Sequence, residues 1–158
     1  MVKPGRKLNL DFVVKVVRTG GEQDEVSFSE LITGPTVVSV YMRNNTSGCD
    51  LQMASLAKGA AAIRKLGYHT LAISRDTCGS HKKYAEKMGI RFPLVSDPEF
   101  QFAKATDSMV EKSMYGKKYL APARAAYVLD ADGTVKAVIE KVDTGDHTAQ
   151  LVAVLKNL

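Results

Sequence analysis

The sequence predicts an α/β fold with a mixed central β-sheet, helices on both faces and an N-terminal β-hairpin. Three observations carry that prediction. Two β-branched, apolar runs at 36–41 and 69–74 flank a stretch in which Leu51, Met53, Leu56, Ala60, Ile63 and Leu66 recur at helical spacing, the strand, helix, strand order of a parallel pair with a right-handed crossover. Hairpin patterns lie on either side of this unit, and an amphipathic segment closes the chain. Such sheets bind ligands beyond the carboxyl ends of their parallel strands.

Taken in order, strand-like runs at 11–18 and 25–29 surround the turn-rich stretch 19–24, a hairpin. Ser29 reads as the N-cap of a short helical piece, 30–32, which Gly34-Pro35 ends before the run at 36–41. Gly67 is a stop for the helix that follows. After the run at 69–74, Asp76 or Thr77 caps a helix at 78–88, closed by Gly89. An extended piece at 92–96 leads to a helical turn begun by Asp97-Pro98, and the weak pattern from 108 to 123 predicts a long surface loop. Runs at 125–129 and 134–139 flank Asp130-Ala131-Asp132-Gly133, a hairpin signal. The closing helix, 147–155, turns Leu151, Val152 and Leu155 towards a sheet, with Asp146 or Thr144 as its cap.

Composition narrows the function. With 158 residues, 45% hydrophobic and 25% charged, residues 1–158 are expected to form one domain around a sizeable core. Two cysteines make no disulfide framework, the N-terminal residues lead into no apolar leader, and no stretch reaches the length of a membrane span. A cytoplasmic protein with no membrane partner is the expectation. The net charge of +5 arises from 22 Lys and Arg interleaved with 17 Asp and Glu, which describes a solvated surface rather than a nucleic-acid patch. His69, His81 and His147 are scattered without metal-ligand spacing, as surface or helix-start histidines would be, and no metal site is expected.

The chemistry is placed at 41–49, where strand gives way through the polar loop 44–48 to helix, with Cys49 in the first helical turn. Unpaired N–H groups and the positive end of the helix dipole favour an anion there, and the thiolate, not the thiol, is the nucleophile. Cys49-Asp50-Leu51-Gln52 contains no C-x-x-C pair, which argues against a dithiol oxidoreductase.

Thr46-Ser47-Gly48-Cys49, Ser74-Arg75-Asp76, the run 80–87, the run 92–98 and Met114-Tyr115-Gly116-Lys117-Lys118-Tyr119 together resemble the peroxiredoxin Q subfamily, whose bacterial members are also called bacterioferritin comigratory proteins. The resemblance extends from about Leu8 to the C-terminus. It implies a thioredoxin-like fold and thiol-dependent reduction of hydrogen peroxide and organic hydroperoxides through a cysteine sulfenic acid. No metal or organic cofactor is implied. Thioredoxin or a similar thiol is the implied reductant, and the implied state is a monomer or weak dimer.

Carried over by position, Cys49 is the peroxide-attacking cysteine, Thr46 the motif threonine and Arg124 the distant arginine. Gln52 occupies a position where the family carries Glu or Gln. Thiolate attack on an O–O bond needs an ionised sulfur, an aligned peroxide and charge stabilisation on the departing oxygen. Arg124 would hold the thiolate, Thr46 and the N–H groups around Gly48 would orient the peroxide, and Gln52 would position the guanidinium.

Two features depart from the family, the motif proline and the resolving cysteine. Met42 stands where the motif has proline, in the expected wall of the peroxide pocket, so lowered activity is expected, with a peroxide sensor or a low-activity binding protein as the alternative. Family resolving-cysteine positions correspond to Ala54 and Ala85 here, leaving Cys78 as the resolving candidate against an enzyme whose sulfenic acid an external thiol reduces.

Overall fold

The computed structural model describes residues 1–158. The N-terminal hairpin is β1 (Val13–Val17) and β2 (Gln23–Ser27), antiparallel with Val13 opposite Ser27. A 3-10 turn at Phe28–Leu31 follows, with Ser27 and not Ser29 at its cap position. β3 (Thr36–Val40) then feeds α1 (Ser47–Lys65), β4 (His69–Ser74) and α2 (Cys78–Met88). α2 shows how locally the sequence dictates an element: the Thr77 hydroxyl accepts from the Ser80 N–H at its start, and Gly89, left-handed at φ 68°, ends it.

β5 (Leu94–Ser96) precedes α3 (Gln101–Ala105). The Asp97 carboxylate accepts from the N–H groups of Gln101 and Phe102, so it does anchor this helix, although Phe100 stays outside it. The stretch expected to be a surface loop is instead a hairpin of β6 (Met109–Met114) and β7 (Lys117–Pro122), closed by Tyr115 and Gly116. Both turn residues have positive φ, the condition for a tight two-residue hairpin turn. β8 (Ala125–Leu129), β9 (Val135–Ile139) and α4 (His147–Lys156) complete the chain.

Seven strands form one mixed sheet in the order β2-β1-β5-β4-β3-β8-β9, while β6 and β7 pair separately. β3, β4 and β5 are parallel, as expected for the central crossover, and β8 returns antiparallel beside β3. Alternation along β3 divides the core. Val38 and Val40 face Phe28, Phe102 and the N-terminal residues Leu8 and Leu10. Val37 faces a layer holding Met53, Leu56 and Ile63 of α1, Tyr84 of α2, and Leu151 and Leu155 of α4. Each fully buried side chain such as Leu56 contributes about 1.5–3 kcal/mol. The long helices therefore share one face, and α3 with the 3-10 turn covers the other. Because β3 and β4 are parallel, the loops leaving their carboxyl ends, 41–46 and 75–77, lie at one edge of the sheet, and Cys49 is there.

Candidate active site

Thr46 is the N-cap residue of α1, with extended backbone, but its side chain makes no capping bond. Its hydroxyl donates instead to the Arg43 carbonyl at 2.9 Å. The first-turn N–H groups are thereby left without a side-chain acceptor, at the end of a helix that favours an anion. Cys49 lies in that turn, 1% exposed. Burial pushes its thiol up, but the Thr46 hydroxyl, the backbone of Arg43 and of Met42, and the Arg124 guanidinium outweigh it and hold the thiol below its ordinary value. A proline at 42 would have no N–H to contribute.

Arg124, just ahead of β8, approaches the same turn. A Cβ on Gly48 would meet Arg124 Nη2 at 3.5 Å, so the glycine leaves the guanidinium room to lie against the helix start. Arg124 Nη1 donates to Gln52 Oε1 at 2.7 Å. The other end of the Gln52 amide donates to Ser39 Oγ at 2.8 Å and to the Val40 carbonyl at 3.3 Å. Cys49, Thr46, Arg124 and Gln52 lie together around the start of α1. Ser39 and His147, bonded to each other at 2.9 Å beneath them, were not expected.

Lys112 was also missed, because it belongs to the unexpected β6 and β7 hairpin. Its ammonium donates to Met42 Sδ at 3.1 Å, within reach of the electrostatic field of both Cys49 and Arg124. Burial and then Arg124 lower its pKa, while Cys49 opposes them. Met42, Arg43, Thr46 and Lys112 share a cavity of about 390 Å³ with Phe100, Met114 and Tyr119. Apolar side chains form most of its wall, and Arg43, Arg75 and Lys112 bring cations to it. Cys49 itself is behind the Met42 and Thr46 wall.

On the far side of the Cys49 loop, Asn44 joins three elements. Its N–H donates to Asp76 Oδ2 at 2.9 Å, its side-chain amide reaches Ser80 Oγ and His81 Nδ1 at 3.1 Å each, and it accepts from the Tyr41 hydroxyl at 2.6 Å. His81 Nε2 completes the set at the Val95 carbonyl, 3.0 Å away. His81 and His147 are 0% exposed, so the reading of them as surface residues fails: each is a buried, hydrogen-bonded imidazole, although His147 does start α4.

Cys78 is not brought to Cys49. Both thiols are free. Ser80, His81 and Tyr84 turn one side of α2 to the Cys49 loop, whereas Cys78 opens on a groove beside Val13, Lys15 and Gln101 over β1 and β5. That groove lies two to three strand positions from β3 in the sheet; a disulfide needs Cα atoms within about 7 Å. Burial raises the Cys78 thiol, with only Lys15 opposing.

No group of three or more His, Cys, Asp or Glu side chains converges to hold a metal ion, and no helix is long and apolar enough to cross a membrane.

A helix-start thiol of depressed pKa beside a fixed guanidinium, on a thioredoxin-like sheet, defines a thiol-redox class of protein. Residues 6–138 match the model of the AhpC/TSA family. The peroxiredoxin Bcp of Xanthomonas campestris is 33% identical over 120 residues, 76% of this chain and 75% of the relative. That of Escherichia coli is 29% identical over 124 residues, 78% and 80% of the two chains. Among solved structures, Xanthomonas campestris peroxiredoxin Q superposes with a TM-score of 0.84 at 29% identity, covering 98% of this chain and 97% of its own. The chain belongs to the AhpC/TSA family, and its likeness to peroxiredoxin Q proteins bears out the resemblance seen in the sequence.

Proposed function

We propose that this chain is a thiol peroxidase in which Cys49 attacks, Thr46 and Arg124 act on the peroxide, Gln52 fixes Arg124, and Met42 and Gly48 shape the pocket. The Cys49 thiolate takes the terminal oxygen of a hydroperoxide: the O–O bond breaks, sulfur is oxidised to sulfenic acid, and the departing oxygen leaves with the bonding pair and is protonated to water or an alcohol. Arg124 stabilises both the thiolate and the departing oxygen. The Thr46 hydroxyl has a single hydrogen, shared in turn between the Arg43 carbonyl and the sulfur or peroxide. A thiol then condenses with the sulfenic acid, releasing water, and a second thiol frees Cys49.

The observation that carries this reading is the placing of Cys49 in the first turn of α1 beside an arginine whose aim is fixed by a buried amide. Peroxidase activity accords with the peroxiredoxin relatives, and one solved neighbour is described by its alkyl peroxide reduction activity. Met42 makes the reaction slower than with proline while leaving it faster than that of a free thiol. Thioredoxin, or another thiol of the cytoplasm, is the proposed reductant, acting on a monomer or weak dimer of one domain. Cys78 is the proposed resolving thiol, which requires the first turn of α2 to open.

The test is NADPH consumption coupled through thioredoxin and its reductase, with hydrogen peroxide and an alkyl hydroperoxide as substrates. Sustained turnover that Cys49→Ser abolishes without unfolding the chain supports the enzyme. One oxidation event per chain with no turnover would instead make Cys49 a sensor, and retained activity in Cys49→Ser would move the chemistry elsewhere.

A further inference from the structure

Beneath the site, a line of hydrogen bonds runs from Arg124 through Gln52, Ser39 and His147 to Gln150. Its three middle members are 0% exposed. At each link only one assignment of donors and acceptors satisfies every atom. A guanidinium only donates, so the Gln52 carbonyl oxygen must face Arg124 Nη1. The Gln52 amide nitrogen then faces Ser39 Oγ and the Val40 carbonyl. Ser39, accepting from Gln52, gives its one hydrogen to His147 Nε2 at 2.9 Å, which must therefore be unprotonated. The ring proton is left on Nδ1, which donates to Gln150 Oε1 at 3.2 Å.

The far end demands the same direction independently. Gln150 Oε1 also accepts from the Asp143 N–H at 3.0 Å, and Gln150 Nε2 donates to the Lys141 carbonyl at 2.7 Å. The Gln150 amide can therefore present only an acceptor to His147. Two fixed ends, a guanidinium and a clamped amide, leave the buried line a single polarity.

We propose that His147, acting through Ser39, is a positioning residue for the peroxidase reaction: as a neutral, Nε2-accepting imidazole it holds the Gln52 amide in the one orientation that aims Arg124 at Cys49. This rests on the reading of Cys49 and Arg124 given above. A proton on Nε2 would give Ser39 two donors and leave its own hydrogen without an acceptor, a costly state for fully buried groups. Burial and the Arg124 charge oppose a second proton, while the Gln150 hydrogen bond and the Asp143 charge favour one; the first pair prevails and holds the ring below its ordinary pKa.

The test uses His147→Leu, His147→Gln, Ser39→Ala and Gln52→Ala in the full chain, with thermal unfolding as the control for folding. Thiolate absorbance gives the Cys49 titration, and stopped-flow gives single-turnover oxidation by hydrogen peroxide. His147→Leu and Ser39→Ala are expected to raise the Cys49 pKa and slow oxidation by about ten-fold, the scale of losing an outer support of a reactive group. His147→Gln, which restores an acceptor, is expected to recover most of the loss, and neither variant should add to Gln52→Ala. Imidazole 15N shifts of the wild-type protein should report the Nδ1–H tautomer.

A folded Ser39→Ala variant with wild-type titration and rate would overturn the proposal, as would an Nε2–H tautomer. Should His147→Leu fail to fold, Ser39→Ala and the tautomer still decide. A wild-type protein that does not react with peroxide would refute the peroxidase reading, whereas the thiol titration would continue to test the line.

Discussion

Arg124 and Gln52 stand 72 residues apart in the chain and meet through a 2.7 Å bond from guanidinium to amide oxygen. Because the Gln52 side chain is fully buried, the guanidinium is held by a group with no freedom of its own. Arg124→Ala should raise the Cys49 pKa and slow peroxide reduction at neutral pH by about 10²–10³-fold, the usual cost of losing a preorganised donor. Arg124→Lys should recover little, since an ammonium cannot bond the amide and the site through a planar fork. Thiolate absorbance against pH, with the rate at pH 7, checks both; an unmoved titration curve removes Arg124 from the site.

Met42 and Lys112 predict a second, smaller electrostatic effect. Lys112 rests on the Met42 sulfur, and the Met42 backbone is among the groups that lower the Cys49 thiol. Lys112→Gln should raise the Cys49 pKa by less than Arg124→Ala does, since Lys112 is carried on an outlying hairpin. Met42→Pro removes both the N–H and the thioether, and should likewise raise it, while the rate of the fully ionised thiolate should increase because proline restores the shielded pocket wall. The same titration on both variants decides, and a downward shift in either would contradict the assignment.

His81 makes stability fall in acid. Its Nε2 hydrogen goes to the Val95 carbonyl and its Nδ1 accepts from Asn44, so the buried ring is satisfied only when neutral. Burial pushes its pKa below the ordinary 6.5, more than the Val95 carbonyl and Asp76 raise it. Below about 6.5 the unfolded chain binds a proton that the folded chain refuses, so stability drops with falling pH until the folded-state value is passed. His147 adds to the same trend. Melting temperature should fall between pH 7.5 and 5.5, and less steeply in His81→Gln; a flat profile would contradict it.

Gly59 controls the docking of α4. A Cβ there would overlap the Thr148 side chain, and Thr148 is tied to α1 by bonds to Ser55. Gly59→Ala should destabilise by about 1–3 kcal/mol through overpacking, or roughly 2–4 °C in melting temperature per kcal/mol. Since His147 adjoins Thr148, the variant should also raise the Cys49 pKa. Calorimetry and the thiol titration test the two halves separately.

What the sequence disclosed depended on the range of the signal. The Cys49 turn is local, a strand, a polar loop and a helix start within a dozen residues, and its periodicities were plain. Arg124 and Gln52 came only through family likeness, since neither stands out among neighbouring charges and amides. The β6 and β7 hairpin stayed hidden because Glu111, Lys112, Lys117 and Lys118 break any apolar face, and Tyr115-Gly116 is a weaker turn signal than Asn-Gly. Ser39 and His147 could not be paired in advance: a serine in a β-branched run and a histidine at a helix start are individually unremarkable, and 108 residues separate them.

Oxidised Cys49 provides the last test, because the folded geometry opposes the proposed resolution by Cys78. The thiols lie on different sides of α2's first turns, and Asn44 pins that segment through Ser80 and His81. Opening the first turn breaks the Thr77 cap, the bond from the His81 N–H to the Thr77 carbonyl and those side-chain bonds, a sub-global event that costs less than unfolding. One equivalent of peroxide should thus give sulfenic acid first and a Cys49–Cys78 crosslink more slowly. Asn44→Ala and Ser80→Ala should speed the second step, because they loosen α2; a lysate thiol or thioredoxin should compete with it. Mass spectrometry of non-reduced peptides against time follows both species. A crosslink that forms as fast as the peroxide is consumed would show the thiols to be closer than this fold allows. A trapped sulfenic acid with two uncrosslinked cysteines, unchanged in the loosened variants, would leave reduction of Cys49 to an external thiol alone.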